Sequence, residues 1–382
     1  MDGILDKNVP VLVANVSVTW PCALAWSTQG GLESSLGGDT IVPVELDESS
    51  IGVYGGARRL EMPLREFFRG RRGYLKDYRL PRSLASDAYT IPAAFCEDAL
   101  NQWLDSVGRE GFRFLYAGWE GTRTPLHHDV LCSHSWSVNI CGKKLWLLSE
   151  PGAGEDILYP RGRYNELSEN SLLPSGFGCH YHAVSVSTPL SPSALQAFLS
   201  RPRGSLRVLL QGEGDAIFVP SGWHHEVFNV SKGLTLSVNH NWIRHCGGPC
   251  LRNAWLFLRE EMAEIRKRLA DIKQGCSSDE FSSACEKMLI TDAGLGYKDF
   301  RDLLSHARAD LQGRLAETTS LFSAASHMHS PTAHVKGSAV CHSHGTPYLE
   351  HCVMRERGRL SHGLQNVERI LIEMDFGVND FP

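Results

Sequence analysis

The stretch from Gly121 to Val130 reads GTRTPLHHDV and sets His127 two residues before Asp129. On an extended strand, residues i and i+2 point to the same face, so an imidazole and a carboxylate can meet one cation there without backbone strain. Two ligands do not make a site; a third must come from a strand that returns alongside. Residues 218–229, FVPSGWHHEVFN, offer one, because His224 and His225 follow Trp223 directly. Two histidines and one carboxylate are the facial triad. It covers one face of Fe(II) and leaves the opposite positions open for a bidentate cosubstrate and oxygen. The lack of a cysteine ligand argues against structural zinc. A lone His-x-Asp is weak evidence, and a histidine beside tryptophan is more often packed than ligating. The weight lies in the two motifs occurring together, each in a strand–turn setting.

A dicarboxylate cosubstrate also needs a buried cation at its far end, which a lysine supplies as a point charge. Lys143 and Lys144 follow the turn at Gly142 and open the apolar run KKLWLLS. In a strand one of the two must face inward, and Trp146 shares the face of Lys144.

These residues need a scaffold of strands. From Phe112 to about Trp242 the chain is cut into strand-sized runs rich in β-branched and aromatic residues: FRFLYAG, SWSVNICG, KLWLLS, SLRVLLQG, DAIFVPSG, HEVFNV and LTLSVNHNW. Turn signals such as Gly212-Glu213-Gly214-Asp215 and Pro220-Ser221-Gly222 fall between them. No long helical pattern intervenes in the strand-rich parts, which predicts an antiparallel sandwich or barrel. Residues 149–205, rich in Pro, Gly and Ser, interrupt the series with one short helical pattern, SALQAFLS. A connection of that length is usually functional or disordered.

The flanks read differently. Residues 1–85 form a mixed leading region. Its basic stretch (Arg58, Arg59, Arg65, Arg69, Arg71, Arg72 and Lys76) has Glu61, Glu66 and Asp77 interleaved and reads as a solvated face rather than a nucleic-acid surface. Residues 91–107 suit a short amphipathic helix with Leu100, Trp103 and Leu104 on one side. After Trp242 an apolar stripe of Leu251, Trp255, Leu258, Met262, Ile265, Leu269 and Ile272 predicts a long helix. It either packs on its own domain or makes a homodimer. A helix follows at 297–317. Residues 323–347 read as a linker; His327, His329, His334, Cys341, His342 and His344 gather there without standard metal-ligand spacing. GLQNVERILIEMD predicts a last helix. The expected organisation is 1–85 supporting the barrel, 86–245 catalytic, 246–322 helical, 323–360 linker and 361–382 terminal helix.

Over 382 residues the net charge is -5, so the whole molecule has no pull toward nucleic acid or anionic membranes. The 11 cysteines are odd in number and scattered, which predicts reduced thiols rather than a disulfide framework. Cys246 and Cys250 lack the second pair of a zinc ribbon. No apolar run reaches the length of a membrane span, and MDGILDK lacks the features of a leader. The expectation is a cytoplasmic protein, with the nucleus as the alternative.

TPLHHD (124–129), SWSVNICGKKLWLL (135–148), GEGDAIFVPSGWHHEVFN (212–229) and LSVNHNW (236–242) together resemble the jumonji-C family of 2-oxoglutarate oxygenases. The likeness extends to MPLREFF and GYLKDYRL and covers most of residues 10–320. It implies a mainly β core, a double-stranded β-helix of jelly-roll or cupin type, with a flanking N-terminal α/β region and C-terminal helices. It implies Fe(II) as metal, with 2-oxoglutarate and O2 as cosubstrates. His127, Asp129 and His225 fall on the metal ligands and carry the catalysis. His225 is preferred because the family pattern is Pro-x-Gly-Trp-Trp-His, with His224 replacing the second Trp. Lys144 and Thr124 match contacts to the distal carboxylate of 2-oxoglutarate. Asn239 matches a polar residue near the metal-side end, Ser137 stands where relatives carry Asn, and Tyr116 is a further cosubstrate candidate. The nearest likeness is to a small member that hydroxylates C4 of a lysine in the eukaryotic translation release factor, which implies that protein as substrate and partner. An N-methyl-lysine demethylase is the alternative, and a non-catalytic binding protein of the same fold a second.

Overall fold

The computed structural model describes residues 5–46, 58–152, 206–327 and 346–377. Twelve strands among them form two antiparallel sheets. In chain order they are β1 (Val11–Val13), β2 (Ile41–Leu46), β3 (Arg58–Pro63), β4 (Tyr74–Arg79), β5 (Arg113–Gly118), β6 (Arg123–His127), β7 (His134–Cys141), β8 (Lys144–Ser149), β9 (Leu206–Gln211), β10 (Ala216–Val219), β11 (His224–Asn229) and β12 (Thr235–Trp242). The large sheet runs β1-β10-β7-β12-β5-β4-β2-β3 and the small one β6-β11-β8-β9. This is the expected jelly roll, with the sheets as the two walls of one β-helix.

Residue alternation decides which wall face does what. On β7, Trp136, Val138 and Ile140 join an apolar core with Leu115, Ala117, Leu236 and Val238. Trp20, Trp26, Phe67 and Phe68 of the leading region fill the same core. The alternate residues, Ser135, Ser137 and Asn139 on β7 and Ser237, Asn239 and Asn241 on β12, are polar. Opposed residues share a face, and the pairs Ser137–Asn239 and Ser237–Asn139 place these side chains together. A smaller apolar cluster of Trp146, Leu148, Ile217, Val219, Trp223 and Val227 closes the interior beside them.

The leading region is part of the barrel rather than an addition to it. β1 pairs with β10, and β4 pairs with β5 through a bulge between Leu75 and Tyr78. Asp77 occupies the left-handed region there, at φ 59°. The shorter leading helices are α1 (Pro21–Ala25), α2 (Gln29–Leu36), α3 (Leu64–Gly70) and α4 (Arg82–Ala88). The helix expected over 91–107 is confined to α5 (Ala99–Ser106), because Pro92 starts a 3-10 turn at Ala93–Phe95; Leu100, Trp103 and Leu104 are buried as expected.

Residues 97–103 and those from Ile243 onward cluster as a second unit. It contains α6 (Cys250–Arg268), α7 (Ser278–Ala293), α8 (Tyr297–His327) and α9 (Thr346–Gly377). A capping box at Ser277 and Glu280 starts α7, and Gly294 at φ 77° stops it. The stripe of α6 is buried at Leu251, Trp255, Leu258, Met262 and Ile265, and Trp255 stacks on Phe300 of α8. Three boundaries differ from expectation. The stripe expected to run to Ile272 leaves the α-helix at Arg268, where a 3-10 segment, Ala270–Gly275, follows. The helix expected to end near 317 continues to His327, and the terminal helix starts at Thr346 rather than 361, so residues 346–360 are helix rather than linker. Leu360, Val367, Ile370 and Met374 are its buried stripe, which extends N-terminal of the predicted start. SALQAFLS and His329, His334, Cys341, His342 and His344 lie outside the described residues. Nine described cysteines are free thiols. No described helix is long and apolar enough to cross a membrane.

Candidate active site

His127 ends β6, and Asp129, expected on the same extended strand, instead takes the N-cap position of the 3-10 turn Val130–Cys132 without a side-chain capping bond, because the strand stops at His127. His225 is the second residue of β11 and pairs with His127 across the two strands. Their rings lie 4.2 Å apart. One ligand atom from each of His127, Asp129 and His225 falls within 4.8 Å of the other two. Among the described residues this is the one such cluster of three or more.

The tautomers suit ligation. His127 Nδ1 is 2.8 Å from Pro125 O, and His225 Nδ1 is 3.3 Å from Trp223 O. Each carbonyl fixes a proton on Nδ1 and leaves the Nε2 lone pair for a metal. His225 Nε2 stands 4.0 Å from Asp129 Oδ2. Burial holds both imidazoles below their ordinary range, helped at His127 by the charges of His225 and Lys76; at His225 the Asp129 carboxylate opposes the burial effect. Two neutral imidazoles and a carboxylate are the donor set a divalent iron takes.

His224 is on the other face of β11. Its ring sits edge-on to His128, 5.3 Å away. It is 1 % exposed, and neither ring nitrogen has a hydrogen-bond partner among the described residues. Strand alternation thus separates the two adjacent histidines, and His225 is the one that faces His127.

Deeper in the interior lies Lys144, 2 % exposed. Its ammonium donates to Ser237 Oγ at 2.5 Å and stands 5.5 Å from the centre of the Tyr116 ring. No carboxylate among the described residues pairs with it, and burial pushes its pKa down to about 7. A buried cation without a counter-charge is a ready partner for an anionic ligand group. Ser237 Oγ in turn donates to Asn239 Oδ1 at 2.7 Å, as does Ser137 Oγ at 3.1 Å. Ser137 and Asn239 are therefore joined to Lys144 through one hydroxyl chain. Thr124 sits across from Val227 on β11, and its side chain meets the Tyr74 hydroxyl, which also meets Asn229. Tyr116 donates its hydroxyl to Asp77 Oδ1 at 2.5 Å; burial and that carboxylate drive the phenol well above its ordinary range.

All eight residues singled out from the sequence thus line this interior. Tyr74, Asp77, Ser135 and Ser237 were not singled out. The polar residue at every second position of β7 and β12 was the signal for Ser135 and Ser237; Tyr74 and Asp77 become neighbours of the site through the bulged register of β4.

The cupin-like domain family matches residues 2–247. Among curated proteins, the chain is 29% identical to the chicken "2-oxoglutarate and iron-dependent oxygenase JMJD4", covering 79% of this chain and 69% of that one. It is 30% identical to the mouse protein of the same name, over 79% and 70%. It is 28% identical to the Arabidopsis thaliana "Arginine-specific demethylase JMJ20", over 78% and 64%.

Proposed function

The chain belongs to the cupin-like domain family, in its jumonji-C branch of iron- and 2-oxoglutarate-dependent oxygenases, and on that premise we propose that it is a protein lysyl hydroxylase acting on the eukaryotic translation release factor. Fe(II) is its metal, and 2-oxoglutarate and O2 its cosubstrates. When bound, iron and 2-oxoglutarate supply the oxidising power for C–H hydroxylation, with succinate and CO2 as co-products.

The chain's own residues do the positioning. His127, Asp129 and His225 would hold the metal from one side, with both Nε2 lone pairs directed by backbone carbonyls. Lys144 would neutralise the distal carboxylate of 2-oxoglutarate, with the Thr124 and Tyr74 hydroxyls beside it. Ser137 and Asn239, joined to Lys144 through Ser237, would orient the cosubstrate's metal-side end. The observation that carries this reading is the uncompensated Lys144 ammonium in the same interior as the triad.

The substrate rests on the resemblance to JMJD4 proteins. The test is incubation with recombinant release factor, Fe(II), ascorbate and 2-oxoglutarate, read by peptide mass spectrometry. A gain of one oxygen on a lysine is expected. An unmodified factor alongside active decarboxylation would overturn the substrate while leaving the chemistry intact. The Arabidopsis relative favours a second reading, demethylation; loss of methyl groups from methylated arginine or lysine peptides would support it.

A further inference from the structure

The three triad members are not equally well anchored. His127 and His225 sit on paired strands, but Asp129 sits on a turn. That turn is irregular: Leu131 and Cys132 both adopt left-handed backbone, at φ 59° and 44°. Neither is glycine, so the conformation costs energy and must be held by its surroundings.

Ser135 supplies a hold. Its hydroxyl donates to Asp129 Oδ2 at 2.7 Å. Ser135 itself lies in the middle of the large sheet, paired with Val219 of β10 on one side and Asn241 of β12 on the other. Its position is therefore fixed by two strands. Ser221 clamps the same turn from the turn before β11, donating its hydroxyl to Cys132 O and its backbone N–H to His134 Nδ1 at 2.9 Å.

We propose that Ser135 is a positioning residue that sets the Asp129 carboxylate in its ligating pose before metal arrives. This inference rests on the metal-ligand reading above. A carboxylate tethered at one oxygen loses little further freedom on binding. Polar groups that orient a ligand are typically worth about 10–100-fold in metal affinity.

The test is anaerobic Fe(II) titration by calorimetry on the full chain, comparing wild type, Ser135→Ala and Ser135→Thr. Urea melts of the metal-free proteins run alongside. Ser135→Ala is expected to raise the Fe(II) Kd about 10–100-fold with an unchanged metal-free melt, and Ser135→Thr, which keeps the hydroxyl, to restore it. The visible spectrum of the Co(II)-substituted protein should change in Ser135→Ala and return in Ser135→Thr. An unchanged Kd in Ser135→Ala overturns the proposal. So does equal loss in both variants with a lowered melt, which would mark a packing role. Failure of the wild type to bind Fe(II) would instead overturn the reading of the triad itself.

Discussion

Replacing Lys144 with methionine should stabilise the metal-free protein and cripple its use of 2-oxoglutarate. The pKa falls from an ordinary 10.5 to about 7. At about 1.4 kcal/mol per unit, folding with this group costs about 4 kcal/mol at pH 7. Between the two values the unfolded chain keeps a proton that the folded one sheds, so stability rises with pH across that window. Moving from pH 7 to 9 should recover about 2 kcal/mol of the cost. Methionine is close in volume and carries no charge. Lys144→Met should therefore raise stability at pH 7 by up to about 4 kcal/mol and remove this part of the rise toward pH 9. The lost charge pair should weaken anaerobic 2-oxoglutarate binding on the order of 100-fold, about 3 kcal/mol. The assays are urea unfolding of both proteins at pH 7 and 9 and calorimetric titration of 2-oxoglutarate into the metal-loaded form. A variant less stable than wild type at pH 7, with unchanged 2-oxoglutarate affinity, would refute the account of Lys144 as an uncompensated cation awaiting an anion.

Three further outcomes are expected. In the helical unit Glu97 accepts from Arg359, Arg314 and Arg244. Burial alone would raise its pKa, but these guanidinium groups hold it down to about 2; its contribution is present above about pH 4.5 and is lost as pH falls toward 2. Glu97→Gln should destabilise by about 3–5 kcal/mol in urea melts at pH 7, because three arginines lose their shared partner. His224→Phe should raise stability by about 1–3 kcal/mol by removing unpartnered ring nitrogens, and an unchanged Fe(II) Kd would show that the adjacent His225 alone serves the metal. Gly118→Ala would set a methyl 2.4 Å from Thr122 Oγ1 and 2.7 Å from Asn229 Nδ2 and Tyr74 Cδ2. It should cost about 1–3 kcal/mol and raise the KM for 2-oxoglutarate, measured by succinate release.

The legible parts of this molecule were those with local causes. Strands β5 and β7 to β12 announce themselves by β-branched runs and turn residues, whereas β6 (RTPLH) does not, and His127 and Asp129 stand out only together with the FVPSGWHH motif. Spacing alone leaves His224 and His225 open; the family pattern prefers His225, and the register of β11 against β6 sets it opposite His127. Strand β4 was missed because YLKDYR alternates weakly, and its bulge at Lys76–Asp77 breaks the period of two. Tyr74 joins Thr124 only once β4 lies beside β5, so its place at the site depends on pairing between distant segments. The first turns of α9 read as linker because charged residues, His and Gly358 dilute its apolar stripe.

The pairing of the leading strands sets where the chain can be cut. A fragment beginning at residue 86 would keep every triad residue yet lose β1 to β4. It would bare the edges of β10 and β5 and expose Trp136, Val138 and Ile140 where Trp20, Trp26 and Phe68 pack. Open strand edges beside bared aromatic surface recruit other chains. The smallest soluble catalytic piece therefore starts ahead of β1, and a protease cut between β2 and β5 should precipitate the barrel rather than release it.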